Sequence, residues 1–230
     1  KKVFYIENLF NNIASRYDLL NDLLSFGLHR VWKRQMLLEI KPMRGQYWLD
    51  LCCGTGDITF DLARNVIPGG RVLGLDFAEE ALERARRKHL NKPSLPITWS
   101  NRDATNTGLD SHIFDGVVMA YGLRNLNNPL SGLSEVYRLL KPGAKAIILD
   151  FNHLEKDSMS ELFQKFYLRN IVVKFASIFG LKEEYSYIEE SLKIFPNGPE
   201  LELLANTAGF KYAFYKSIFG GQMGFLSLSK

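Results

Sequence analysis

The run Trp48-Leu49-Asp50-Leu51-Cys52-Cys53-Gly54-Thr55-Gly56-Asp57, followed by an acid at Asp76, constrains the fold more than any other part of the chain. An apolar run entering a glycine turn and then a helix reads as a buried strand of a doubly wound sheet. Ligands of such sheets sit beyond the carboxyl ends of the strands. Two glycines let the backbone approach a ligand with no Cβ in the way. Asp76 lies 20 residues after Gly56 and closes the next apolar run, where a carboxylate accepts hydrogen bonds from ribose hydroxyls. The layout is that of a nucleoside cofactor site.

Which nucleoside follows from the turn. The dinucleotide fingerprint G-x-G-x-x-G needs a third glycine and a helix N-terminus facing pyrophosphate. Here the run is Gly54-Thr55-Gly56-Asp57-Ile58-Thr59. The third glycine is missing, and Asp57 puts a carboxylate where the pyrophosphate would lie, already answering the helix dipole. A carboxylate there suits a ligand carrying a positive sulfonium and ammonium. The D-x-x-x-G-x-G run therefore favours S-adenosylmethionine over NAD. An ordinary glycine turn is the plain alternative, and Asp50, Asp57 and Asp76 together argue against it.

At 230 residues the chain fits a single domain, taken as 1–230. A hydrophobic share of 46% and a charged share of 23% are ordinary for a soluble globular protein. The formal net charge of +4 is mild, and no basic block marks a nucleic-acid footprint. The local cluster Arg84, Arg86, Arg87 and Lys88 sits at helical spacing beside Glu79, Glu80 and Glu83, as on a solvated helix face. The two cysteines, Cys52 and Cys53, are adjacent, which is no disulfide framework and points to a reducing compartment. No apolar run approaches the ~20 residues of a spanning helix, and the first residues do not read as a signal peptide.

Strand and helix signals alternate between positions 47 and 151, the pattern of a parallel α/β sheet. Strands are expected at 47–52, 71–77, 97–103, 114–121 and 144–151. Helices are expected from Asp57 to about Asn65, from Ala78 through Ala85, and after Asn128. Asn128 is read as a helix cap with Pro129 at the first helical position, and Lys141-Pro142-Gly143 as the stop. A helix at 199–207 and two late strands, 212–219 and 225–229, complete the chain. Together these give the layout expected of a Rossmann-like class I methyltransferase: a mostly parallel seven-stranded sheet finished by an antiparallel hairpin. Residues 1–40 read as a helical cap and 152–197 as a helical lid.

Four further segments carry a family resemblance. They are Tyr17-Asp18-Leu19-Leu20-Asn21 running on to His29-Arg30-Val31-Trp32, Tyr121-Gly122-Leu123-Arg124-Asn125, Tyr137 to Gly143 leading into Asp150-Phe151, and Tyr187 to Ser191 with Phe195-Pro196. Together they resemble the ubiquinone/menaquinone biosynthesis C-methyltransferases, most closely the branch acting on 2-phytyl-1,4-naphthoquinol. There are departures. Leu20 stands for the usual Met, Asp150-Phe151-Asn152 for Glu-Phe-Ser, Cys52-Cys53 for small residues, and Ala120 for a Ser held to touch the cofactor.

The resemblance implies methyl transfer from a sulfonium to a ring carbon of a prenylated or phytylated naphthoquinol. A quinone carbon is electrophilic, whereas a deprotonated quinol carries charge on the adjacent carbon and can attack. Orientation alone can supply roughly 7–11 kcal/mol, so no metal is required, and the four scattered histidines form no ligand set. The cofactor-binding candidates are Asp50, Gly54, Thr55, Gly56, Asp76, Asp103, Ala104 and Ala120. Arg124 is the candidate for stabilising the aryloxide, because a guanidinium stays charged and offers several donors, with Asn125 orienting that oxygen. A salt bridge is the alternative role for Arg124, and a turn cap the alternative for Asp103. Tyr17 and His29 are further catalytic candidates, His29 as a base or as a packed structural histidine. His153 and Tyr187 are weaker ones.

The apolar insertion reads either as a tunnel for an isoprenoid tail with contact to a membrane face, or as lid core or a homodimer surface. The implied location is cytoplasm or plastid stroma, peripheral to a membrane. Three rivals stay open: demethylmenaquinol or a ubiquinone-precursor benzoquinol as substrate, an NAD-dependent oxidoreductase, and a non-catalytic S-adenosylmethionine-binding subunit.

Overall fold

In the computed structural model of the protein, residues 28–152, 162, 190–192, 194–218 and 221–230 are described. Helix α1 (His29–Ile40) precedes strand β1 (Tyr47–Leu51). Then come α2 (Asp57–Val66), β2 (Arg71–Asp76), α3 (Glu79–Leu90), β3 (Ile97–Asn101) and β4 (Phe114–Ala120). A short 3-10 turn, Leu123–Asn125, leads into α4 (Pro129–Leu139) and β5 (Leu140–Phe151), and the chain ends in α5 (Gly198–Ala208), β6 (Tyr212–Ile218) and β7 (Met223–Ser229). Tyr17, Asn21, His153 and Tyr187 lie outside the described residues, as does most of the expected cap and lid.

The seven strands form one sheet in the order β3-β2-β1-β4-β5-β7-β6. Strands β1 to β5 pair in parallel, and β7 runs antiparallel to both β5 and β6. The near-continuous apolar runs of β1, β2 and β4 follow from this, since a parallel sheet is covered on both faces. Period-two alternation then decides which face each side chain joins. Leu49 and Leu51 pack with Phe114, Leu133, Val136 and Leu201 on one face. Trp48 packs with Trp32, Met36, Leu62 and Val118 on the other. Asp50 shares that second face with Trp48 by parity, which carries its carboxylate toward α1 and α2.

Local chemistry sets the helix ends. Asn128 Oδ1 accepts from the Leu130 N–H at 3.0 Å with Pro129 behind it, as expected of a cap. Asn197 and Glu200 form a capping box at the start of α5, and Gly209 closes that helix at φ 112°. Most boundaries shift by a residue or two from the sequence expectation, and two differences have a visible cause. Strand β3 stops at Asn101, because Asp103 turns back to bridge Asn106. Lys141-Pro142-Gly143 does not separate α4 from β5. Leu140 pairs with Phe114, and pairing resumes at Lys145 opposite Gly116, so the tripeptide bulges out of a strand already begun. Leu140 is wholly buried, and its place in the core outweighs the turn chemistry that follows it.

Candidate active site

The winding of the sheet reverses between β1 and β4, and the turns leaving these two strands meet there. Cys52 follows β1 with φ 61°, and Tyr121 follows β4 with φ 59°. Left-handed backbone at a non-glycine residue costs about 1–3 kcal/mol and persists where surrounding structure imposes it. Here that structure is visible: the Cys53 N–H donates to the Leu75 carbonyl at 3.0 Å, and the Tyr121 N–H to the Leu149 carbonyl at 2.7 Å. Gly122 has no room for a side chain, since a Cβ would stand 2.6 Å from Cβ of Cys52.

A cleft of about 850 Å³ opens above these turns, lined on its polar side by Lys33, Asp50, Asp57, Asp76 and Asn125. A second hollow of about 830 Å³ adjoins it, sharing Cys52, Asp76, Phe77, Asn125 and Leu126 and adding Asn101, Asp103 and Ala104.

Three acids face the first cleft in different states. Asp50 is 1% exposed, and its Oδ2 accepts from Thr59 Oγ1 at 2.5 Å while Oδ1 is buried with no hydrogen-bond partner among the described residues. Burial pushes its carboxyl up to about 7, against the pull of Thr59 and Lys33, with Asp76 and Asp57 adding to the rise. Asp76 is also raised by burial, and the N–H groups of Ala78 and Gly54 hold it down in part, at 2.9 and 2.8 Å. Asp76 thus joins the glycine turn to the start of α3. Burial raises Asp57 too, but the ammonium groups of Lys33 and Lys88 outweigh it and leave that carboxyl below its usual value. The two lysines stand 3.3 and 3.2 Å from Asp57. Asp57, the carboxylate the sequence set toward a cationic ligand, does line the cleft, but it meets that ligand already paired with two lysines. Lys33 comes from α1 and Lys88 from α3, and the buried acids of the cleft are Asp50 and Asp76.

The glycine turn divides its work. Gly54 has φ 54°, and a Cβ there would meet nothing within 4 Å among the described residues, so this face is open to a ligand. Gly56 has φ 85°, and a Cβ would lie 2.5 Å from the Trp99 ring, so this glycine serves packing. Thr55 lines the cleft, its carbonyl and hydroxyl held by the Lys88 ammonium at 3.3 and 2.9 Å. Ala120 lines the cleft as well, at the end of β4. Asp103 and Ala104 line the second hollow, where Asp103 Oδ1 accepts from both the N–H and the hydroxyl of Thr105 at 2.7 Å.

The substrate-side candidates part company. Asn125 lines both hollows, with Nδ2 donating to the Tyr121 carbonyl at 2.8 Å. Arg124 does not line them. Its main-chain N–H donates to Asp150 Oδ2 at 3.0 Å, its Nε stands 3.4 Å from Asp150 Oδ1, and its Nη1 bonds Ser191 Oγ. The guanidinium also lies 5.2 Å from the centre of the Phe151 ring. It is a buried ion pair at the end of β5, closer to the salt-bridge alternative than to an exposed oxyanion donor. His29 is 1% exposed at the first position of α1 and is absent from the lining of either hollow.

Lys33, Tyr121, Phe77 and Leu126 were missed from the sequence. A lone lysine on an amphipathic helix carries no local signal, and only packing of α1 over β5 brings Lys33 to the cleft. Phe77 had one: it directly follows the acid that ends β2.

A nucleoside with a cationic sulfonium and an amino-acid end fits these residues. The orphaned Asp50 Oδ1 needs a donor, the open face of Gly54 admits close approach, and the acids at the ends of β1 and β2 favour positive charge.

The profile of the ubiE/COQ5 methyltransferase family matches residues 1–226. A relative from Nostoc punctiforme named 2-phytyl-1,4-naphtoquinone methyltransferase is 44% identical over 226 residues, covering 98% of both chains. The 2-phytyl-1,4-beta-naphthoquinone methyltransferase, chloroplastic, of Arabidopsis thaliana is 44% identical over 219 residues, 94% of this chain and 84% of that one. Among solved structures, a SAM-dependent methyltransferase from Aquifex aeolicus superposes with a TM-score of 0.66 at 21% identity over 95% of this chain and 97% of that one. Phosphoethanolamine N-methyltransferase 2 of Haemonchus contortus, in complex with S-adenosyl-L-methionine, gives 0.67 at 18% identity, over 87% and 52%.

Proposed function

Because the chain belongs to the ubiE/COQ5 methyltransferase family, we propose that it methylates a ring carbon of a phytylated naphthoquinol, using S-adenosylmethionine as donor. The full-length 44% identity to relatives named for 2-phytyl-1,4-naphthoquinone carries this reading of the substrate. Demethylmenaquinol differs in its tail, and a benzoquinol in its ring, and both are outcomes the assay below separates.

In this reading the Gly54–Gly56 turn and Asp76 hold the ribose, and Asp103 with Ala104 borders the base. Asp50 Oδ1 takes the amino group. When bound, the donor supplies a methyl group on a positively charged sulfur. The chain's own contribution is orientation and the exclusion of water, which together are worth many orders of magnitude in rate. Asn125 and Ala120 border the space between the donor and the ring. Arg124 supports the reaction as a positioning residue, since its pairing with Asp150 holds the 122–126 turn on which Asn125 sits. The ring itself must be reduced: transfer adds the methyl to a nucleophilic carbon, and one proton leaves the substrate.

Purified enzyme with S-adenosylmethionine labelled in its methyl group is offered the quinol and quinone forms of phytyl-naphtho-, prenyl-naphtho- and prenyl-benzo-substrates. Label should enter the phytylated naphthoquinol fastest and the oxidised ring not at all. Equal transfer to the oxidised ring defeats the proposal, and faster transfer to a benzoquinol moves the substrate to the ubiquinone branch.

A further inference from the structure

The lining of the first cleft combines several acids with a single cation among the described residues, the ammonium of Lys33. Its side chain is 16% exposed, and Asp57 Oδ2 lies 3.3 Å from Nζ. An ammonium has three donors, so Asp57 does not exhaust it. Nor does Asp57 depend on Lys33. Lys88 Nζ stands 3.2 Å from the other oxygen, Asp57 Oδ1, while also holding Thr55. If Lys33 turned toward a ligand, Asp57 would keep a cationic partner, and the cost of the turn would be small.

We propose that Lys33 binds the carboxylate of the donor's amino-acid end, opposite the buried Asp50 oxygen that takes its amino group. The inference rests on the methyl donor named above and adds the subsite that reads its zwitterionic terminus. A ligand with separate positive and negative groups on one carbon needs one acid and one base side by side, both at the edge of the same cleft. Asp50 and Lys33 are that pair: Asp50 at the end of β1, and Lys33 reaching over from α1. The arrangement distinguishes a full amino-acid terminus from one with the amine alone.

Calorimetry on the full chain tests this without turnover. The ligands are S-adenosylmethionine, its decarboxylated form, which keeps sulfonium and amine, and 5′-methylthioadenosine, which lacks the whole terminus. The parent should bind the decarboxylated ligand about tenfold more weakly than S-adenosylmethionine, the scale of one lost charge-assisted hydrogen bond. Lys33→Met keeps the apolar stem. It should lose this discrimination by weakening S-adenosylmethionine alone, with methylthioadenosine unchanged, and Lys33→Arg should restore most of it. Equal weakening of all three ligands in Lys33→Met would assign Lys33 to structure through Asp57 and overturn the proposal. So would a parent that does not discriminate, a result that needs no variant to fold. Failure of the parent to bind S-adenosylmethionine would remove the methyltransferase reading itself, whereas tight binding without discrimination removes only the role of Lys33.

Discussion

Arg124 and Asp150 are joined twice, by a main-chain N–H at 3.0 Å and by the guanidinium Nε at 3.4 Å, so that the turn after β4 is fastened to the end of β5. Both side chains are about 5% exposed. Removing one partner of such a pair strands the other charge in a low-dielectric interior. Burial already raises the Asp150 carboxyl, and Arg124 is what opposes it.

Arg124→Ala is therefore expected to lower stability by about 3–5 kcal/mol. Asp150→Asn keeps an acceptor for the Arg124 N–H and should cost less. The Arg124→Leu, Asp150→Leu double variant should recover part of the loss, since an apolar pair leaves no unpaired charge. Urea denaturation of the parent and the three variants ranks their stabilities. A loss below ~1 kcal/mol for Arg124→Ala would show the pair to be dispensable to the fold.

Gly54 and Gly56 should fail differently when replaced by alanine. Gly56→Ala combines φ 85° with a Cβ against Trp99, and it should destabilise the fold by about 1–3 kcal/mol. Adding Trp99→Leu relieves the collision but not the backbone strain, so stability should return only in part. Gly54→Ala meets no neighbour within 4 Å among the described residues, so its cost is the left-handed backbone at φ 54° alone, about 1–2 kcal/mol, and it should melt only a few degrees below the parent. Its Cβ projects where the ligand approaches, and affinity for S-adenosylmethionine should fall at least tenfold. Thermal melting and calorimetry on the two variants separate the effects.

Asp50 sets a pH dependence whose sign follows from its raised carboxyl, at about 7. In the unfolded chain this group ionises near 3.9. Between about pH 4 and 7 the folded chain keeps a proton that the unfolded chain has released, so stability falls as pH rises and levels off above 7. The slope from this one group is at most about 1.4 kcal/mol per unit. Asp50→Asn should thus be more stable relative to the parent at pH 8 than at pH 4. A cationic ligand favours the ionised form, so the parent should bind S-adenosylmethionine more tightly as pH rises from 6 to 8, and Asp50→Asn should not. Equal pH profiles for parent and variant would remove Asp50 from the linkage.

Cys52 and Cys53 should be poor nucleophiles although both line the cleft. Burial pushes each thiol well above its usual value, and the nearby Asp50 and Asp76 push further in the same direction. The thiolate is the reactive form, so alkylation by iodoacetamide at pH 7.5 should be much slower than for a free thiol. S-adenosylhomocysteine should slow it again by covering the turn. Fast labelling unaffected by ligand would place these thiols away from the bound molecule.

Several parts of this protein were legible in residue order because their causes are local. The strand-turn-helix around Gly54 and Gly56, the acid ending β2 at Asp76, and the Asn128-Pro129 cap depend on neighbours a few positions away, through backbone freedom, hydrophobic period and capping chemistry. The alternation of these units carried the sheet and its antiparallel end. What only the folded chain decided lies between residues far apart. Lys33 and Lys88 converge on Asp57 from 24 and 31 positions away, and Asp150 claims Arg124 from 26. Charge pairing depends on distance in space, and no spacing rule along the chain reports it. The same holds for Leu140, whose burial carried β5 back past Pro142. Residue types thus determined which ligand class the cleft suits, while packing decided which of its charges remain free to meet it.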